Sequence, residues 1–289
     1  MSQRNRVRCR QIELTDLDEI GDLLARGFPP GPKKIWDETL QKLRNRDVPD
    51  GFPRFGYMIE SEGCPVGVLL LIYTRVSGGG GDYIRCSMSS WYVDPAFRSF
   101  APMLVSRAMK HGPATYLNDS PVFHTWRTIE ALGFSRFSSG TFVAIPALSR
   151  RKGPVRVSEF NRKADYGQCL SPADFALLSD HCAYGCLCLV CETSHGAYPV
   201  ILRKEKIFRA LVPAVRLIYS PSQEVLTNVA APVGRYLLKH GLPLMLIAAP
   251  GPLPMVGKFY DDKWPRYYSG DVKLWSGDMA YTERAMFGL

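Results

Sequence analysis

The first half of the chain alternates apolar and polar positions in a way that predicts a definite order of elements. Residues 6–12 read as a strand carrying Arg6, Arg8 and Arg10 at every second position. Thr15 suits a helix N-cap, and Leu17, Ile20, Leu23 and Leu24 then recur at helical spacing. Pro and Gly at 29–32 interrupt the chain before a second helix over 35–44. Residues 57–60 and 65–74 pair as a hairpin around Ser61-Glu62-Gly63, and the glycines at 78–81 make a connection. A strand over 84–93 reaches the turn residues Asp94 and Pro95. A helix follows with Pro102 at its first position, Lys110 and His111 in its last turn, and Gly112 as its stop. Residues 114–117 are the next strand. Ser120 and Pro121 open a helix whose Val122, Trp126 and Ile129 share a face, Gly133 ends it, and 134–145 returns as strand.

The second half repeats this pattern. Ala101-Pro102 matches Ala231-Pro232, and Arg136, Phe137, Ser139 and Gly140 match Arg266, Tyr267, Ser269 and Gly270, all at a shift of 130 residues. Lys110-His111-Gly112 matches Lys239-His240-Gly241 after one deletion, and Glu60 and Pro65-Val66 match Glu192 and Pro199-Val200. Ordered matches in register with the same elements indicate duplication. The second copy is shorter at its start, where one helix over 173–180 precedes its hairpin. The polar stretch 149–154, with Gly153 and Pro154, has the composition of a linker. The expected division is therefore 1–148, a linker at 149–154, and 155–289.

Residues 91–112, WYVDPAFRSFAPMLVSRAMKHG, carry a further signal. A strand that leads through a basic loop into a helix N-terminus aims main-chain N–H groups at one spot, which suits an anion. Val93, Pro95 and Arg98, followed by a helix and later by Leu132-Gly133-Phe134, resemble the coenzyme A loop and closing L-G-F of the GNAT acyltransferase superfamily. That resemblance implies an α/β (α+β) fold in tandem, each copy a mixed, mostly antiparallel sheet flanked by helices. It also implies acetyl-coenzyme A or a longer acyl-coenzyme A as co-substrate, with transfer to an amine by direct attack. The cofactor residues it implies are Trp91, Tyr92, Val93, Arg98, Ser99, Phe100, Ala101, Met103 and Asn118. Ala101 and Met103 stand where the family has glycines, and Pro102 has no N–H to give. In the second copy, residues 228–234 (NVAAPVG) stand in the same place with smaller side chains but no arginine.

Direct transfer needs a base for the amine, a donor to polarise the thioester carbonyl and an acid for the thiolate. The family's tyrosine acid falls here on Ile129. The candidates near the expected cleft are Ser87 and Ser89 on the strand, Tyr116 on the next strand and His124 beyond it. Tyr116 also reads as a core residue, and a lone helical histidine is commonly a surface one.

Composition adds less. Apolar residues make up 46% and charged residues 22%, and the net charge of +9 favours an anionic partner. The arginines at 4, 6, 8 and 10 and those near 150–163 could touch nucleic acid, but no nucleic-acid module accompanies them. His181, Cys182, Cys186, Cys188, Cys191 and His195 lack the paired spacing of a zinc site, so no metal is expected. Cys186 and Cys188 should point to one side of their strand and Cys191 to the other. The MSQRNRVRCR start has no signal-peptide core, the Pro-broken apolar run over 241–256 is no membrane span, and a cytoplasmic location is the expectation. The catalytically silent alternative, an acyl-coenzyme A-binding or scaffold protein, follows from the missing glycines and tyrosine.

Overall fold

The computed structural model describes residues 7–77, 81–150, 152–167, 169–207, 211–272 and 274–288. The glycines at 78–80, Arg4, Arg6 and Arg151 lie outside them. The chain forms two compact units: residues up to Ser135 with Tyr268–Val272, and Arg136–Tyr267 with the residues beyond 273.

In the first unit β1 (Val7–Gln11), β2 (Gly56–Ser61), β3 (Cys64–Val76) and β4 (Tyr83–Val93) form an antiparallel ladder. β5 (Thr115–Asn118) adds to β4 in parallel. The hairpin between β2 and β3 turns at Glu62 and Gly63, both with positive φ, the twist that a two-residue loop needs. α1 (Leu17–Gly27) and α2 (Lys33–Asn45) precede β2, and α1 packs on β3 and β4. α3 (Ala101–Ala108) packs on β2 and β3, and α4 (Trp126–Ala131) follows β5. Leu69, Leu70, Leu71, Ile72 and Tyr73 are all buried, as expected of a strand covered on both faces.

Two helix starts and one helix end differ from the sequence expectation. The residue that opens the first helical segment is Glu13, not Thr15. Its capping box with Asp16, whose carboxylate accepts the Glu13 N–H at 2.7 Å, starts a short 3-10 turn ahead of α1. α3 ends at Ala108, before Lys110 and His111. The helix expected from Ser120 begins as a 3-10 turn at Phe123–Thr125, which leaves Val122 exposed rather than on the buried face.

The second unit repeats the order with β7 (Arg156–Glu159), α5 (Pro172–Ala183), β8 (Leu187–Thr193), β9 (Gly196–Ile207), β10 (Val212–Tyr219), α6 (Gln223–Lys239) and β11 (Leu244–Ala249). One helix stands where the first unit has two. β6 (Ser135–Ala144), all but its first residue, belongs to this unit, where it pairs antiparallel with β11. β12 (Gly257–Ser269) lies beside β6, and α7 (Glu283–Phe287) ends the described chain. In the first unit, Gly270 sits against the Thr115 backbone of β5, where a Cβ would come within 2.8 Å.

The second unit has a core on each sheet face. Cys191, Leu202, Val215 and Leu217 pack with Val229, Val233 and Leu237 of α6. Cys186, Cys188, Val190 and Ile201 pack with Leu178 of α5 and Ala285 of α7. The cysteines thus divide between the faces as their spacing implies, and burial pushes the thiol pKa of Cys191 up to about 12. No described helix is long and apolar enough to cross a membrane.

Candidate functional site

The geometry that bears on function lies where β4 and β5 part. Their parallel register runs from Arg85↔Thr115 to Met88↔Asn118, and there β5 ends. β4 continues through residues 89–93 to Val93. On its other side the pairing with β3 slips between Val68↔Tyr92 and Leu70↔Ser89, so β4 carries one extra residue, and Ser90 sits at φ +47. A bulge of this kind bends the strand and re-aims its main-chain groups.

The sequence candidates converge on this fork unequally. Ser87 and Ser89 are buried on β4, and the Ser87 hydroxyl has no hydrogen-bond partner among the described residues. Asn118 closes β5 and is buried. Trp91 and Tyr92 are half-buried, and Val93 is buried. Tyr116 is buried too, but its hydroxyl donates to the Ala108 carbonyl at 2.8 Å. Burial pushes its pKa up to about 12. His124 is exposed on the 3-10 turn after β5. Ile129, in the position of the family's tyrosine, is a buried apolar residue.

Beyond Val93 the chain winds from Pro95 to Phe100 as a 3-10 helix and then enters α3. Phe97 N–H donates to the Asp94 carbonyl at 2.8 Å, and Ala101 N–H to the Arg98 carbonyl. That removes Ala101 from the expected set of donors. With no glycine to open it, the loop closes on itself in local bonds. Arg98, Ser99 and Met103 are exposed and Phe100 is half-buried. The loop is anchored from outside: Arg26 of α1 pairs with Asp94 at 3.0 Å, and the Tyr92 hydroxyl donates to the same carboxylate at 2.9 Å. Burial, ahead of the Asp94 carboxylate, raises the pKa of Tyr92.

Two buried charged residues of β4 and of the end of β5 carry no role in the sequence analysis, and Asp94 figures there only as a turn residue. Arg85 is only 2% exposed, Asp119 is buried directly after Asn118, and Asp94 holds the loop. The signal for Arg85 was present, as a charge within an otherwise apolar and small-residue strand. Asp119 carried no such signal.

The second unit does not offer the loop that the repeat predicts. Residues 228–234 lie inside α6, which begins at its N-cap Ser222, whose side chain accepts from Val225 N–H at 3.1 Å. Pro232 is therefore a mid-helix proline and not a first-turn one. Gly234 meets the backbone of Pro146 and Ala147, where a Cβ would lie 2.0 Å from the Ala147 nitrogen. The small residues here admit a neighbouring segment, not a phosphate.

A parallel strand pair that forks beside a bulge and feeds a helix is the arrangement that bears on the fold. The chain has the GCN5-related N-acetyltransferase fold. Solved GNAT structures match it along most of its length. A GCN5-related N-acetyltransferase from Anabaena variabilis is 11% identical with a TM-score of 0.59, covering 91% of this chain and 72% of its own. One from Kribbella flavida is 13% identical with a TM-score of 0.54, covering 91% and 71%. Eis1 from Mycobacterium abscessus is 13% identical with a TM-score of 0.52, covering 90% and 73%. No protein-family model matches the sequence, and no curated protein matches it. The GNAT likeness is one of fold.

Proposed function

We propose that the first unit transfers an acyl group from acyl-coenzyme A to an amine. The observation that carries this reading is the fork itself: β4 runs past the end of β5 at a bulge and leads directly into the Arg98 turn. A thioester arm lying along residues 89–93 would find main-chain polar groups beside it, and its diphosphate would come to the Arg98 turn. The buried Ser87 hydroxyl without a partner is what a cleft awaiting a polar ligand supplies.

The residues divide the work as follows. Arg98, exposed at the turn, attracts the diphosphate by charge, and with Ala101 N–H already bonded it carries more of that task than the amides do. A β4 main-chain N–H near the bulge polarises the acyl carbonyl as charge develops on its oxygen. Ser87 and Ser89 line the acceptor side and can pass a proton from the attacking amine toward solvent. His124, exposed on the 3-10 turn that follows β5, would serve as the base. Ile129 offers no acid, so the departing thiolate takes its proton from water or a serine. Tyr116 holds β5 against α3.

Calorimetric titration of acetyl-coenzyme A into the wild type and Arg98→Ala, with thiol release measured over a panel of amines, tests this. Losing a charge-assisted contact should weaken affinity about ten- to a hundredfold. Equal affinity in the two proteins would remove Arg98 from the site. Binding without thiol release from any amine would favour the silent acyl-coenzyme A-binding protein, the reading that the buried Ile129 favours.

A further inference from the structure

The second unit has a fork of the same kind, and the chain fills it with its own C-terminal segment. β10 pairs with β11 from Ala214↔Leu244 to Arg216↔Leu246. Arg216 and Leu246 each stand 131 residues beyond the pair Arg85 and Thr115 of the first unit. β10 then continues to Tyr219, with an irregularity in its pairing to β9 between Leu217 and Tyr219. The two forks thus share both features, early separation from the parallel neighbour and a slip on the antiparallel side.

Against this stretch of β10 lie residues 275–279. Tyr219 and Asp278 form an antiparallel bridge. Met279 N–H donates to the Ile218 carbonyl at 2.7 Å, Ser220 N–H donates to the Gly277 carbonyl at 3.2 Å, and the indole N–H of Trp275 donates to the Ser220 carbonyl at 2.6 Å. Tyr219 already pairs with Ile201 of β9 on its other edge. Asp278 therefore takes the edge that β11 has left, the one along which a thioester arm would have to lie. Gly277 makes the turn possible, because a Cβ there would come within 2.0 Å of the Trp275 ring.

The segment is also tied down beyond the fork. Tyr281 N–H donates to Nε2 of the buried His181 at 3.1 Å, while the Tyr281 hydroxyl donates to Asp180 at 2.9 Å. Arg203 donates to the Ala285 carbonyl at 2.8 Å, and Met279, Ala280 and Thr282 are buried. A strand held by main-chain bonds at one end and a buried side-chain network at the other is part of the fold, not a loose end.

We infer that residues 275–279 are a permanent occupant of the second fork, so that the chain takes one acyl-coenzyme A, in the first unit. The stoichiometry rests on the acyl-coenzyme A reading of that unit; the occupancy of the second fork does not. Residue-resolved hydrogen exchange of the full chain, with and without saturating acetyl-coenzyme A, tests both. The amides of Ser220 and Met279 should exchange slowly in the free chain and be unaltered by acetyl-coenzyme A, and calorimetry should give one molecule per chain. Trp275→Ala, or Gly277→Ala if the first fails to fold, should speed exchange at these amides about tenfold while acetyl-coenzyme A affinity holds. Arg98→Ala should do the reverse. Fast exchange at Ser220 and Met279 in the free chain, or a stoichiometry of two, overturns the inference. If acetyl-coenzyme A fails to bind at all, the reading of the first unit falls, and the exchange rates alone decide whether the second fork is filled.

Discussion

Tyr116 donates its hydroxyl to the Ala108 carbonyl at 2.8 Å, which ties β5 to the last turn of α3. The same carbonyl accepts the His111 N–H at 3.3 Å and the Tyr73 hydroxyl at 3.4 Å, so three donors close the end of α3. The Tyr116 bond also commits the proton that a catalytic acid would need to give away. Tyr116→Phe should therefore cost about 1 kcal/mol of stability and leave thiol release unchanged. Denaturant unfolding together with a pH–rate profile checks this, and loss of a basic limb from the profile would return Tyr116 to the chemistry.

His111 supplies a pH dependence. Burial and then the neighbouring Arg107 charge lower its pKa below the ordinary imidazole value, and its ring meets the Tyr57 hydroxyl. The unfolded chain then binds more protons than the folded one around and below about pH 6.5, so stability rises with pH there. The contribution is complete above the unfolded value and is lost as pH falls through it. Melting temperature should drop on acidification toward pH 5, and His111→Gln should flatten that part of the curve. An equal drop in the variant would assign the effect elsewhere.

Gly234 reverses the usual rule for a helix interior. Alanine there would normally gain helix propensity, by up to about 1 kcal/mol. Here the added methyl would lie 2.0 Å from the Ala147 nitrogen, and backbone cannot step aside as a side chain can. Gly234→Ala should destabilise by about 1–3 kcal/mol in urea unfolding. A stabilised variant would show that the Pro146–Leu148 turn moves freely off α6.

Arg216 and Glu205 form a two-pronged pair, 2.9 Å for each bond, with the guanidinium buried and Trp264 5.6 Å from it. Removing the carboxylate leaves a buried charge without its counter-ion. Glu205→Ala should cost about 3 kcal/mol, and Glu205→Gln less. A cost under about 0.5 kcal/mol would mean that water reaches the guanidinium once the partner has gone.

Much of this architecture was written in residue order. The Ser61-Glu62-Gly63 turn, the apolar run of β3, the single helix before the second hairpin and the split of Cys186 and Cys188 from Cys191 all follow from local period and turn chemistry. Ser87 could be placed on its strand, and Asn118 at the end of the next, for the same reason. The Ala101 amide could not be judged, because a donor's freedom depends on how tightly the loop winds.

What the sequence determined by itself was the kind and order of the elements and the fact of duplication, since both are carried by residues close along the chain. What only the tertiary structure decided was partnership. The grouping of β6 with β11 and of residues 268–272 with β5 has no local cause. The bonding of Met279 to Ile218 has none either. Those bonds join residues far apart in the chain, and an open strand edge accepts whichever segment the rest of the fold delivers to it.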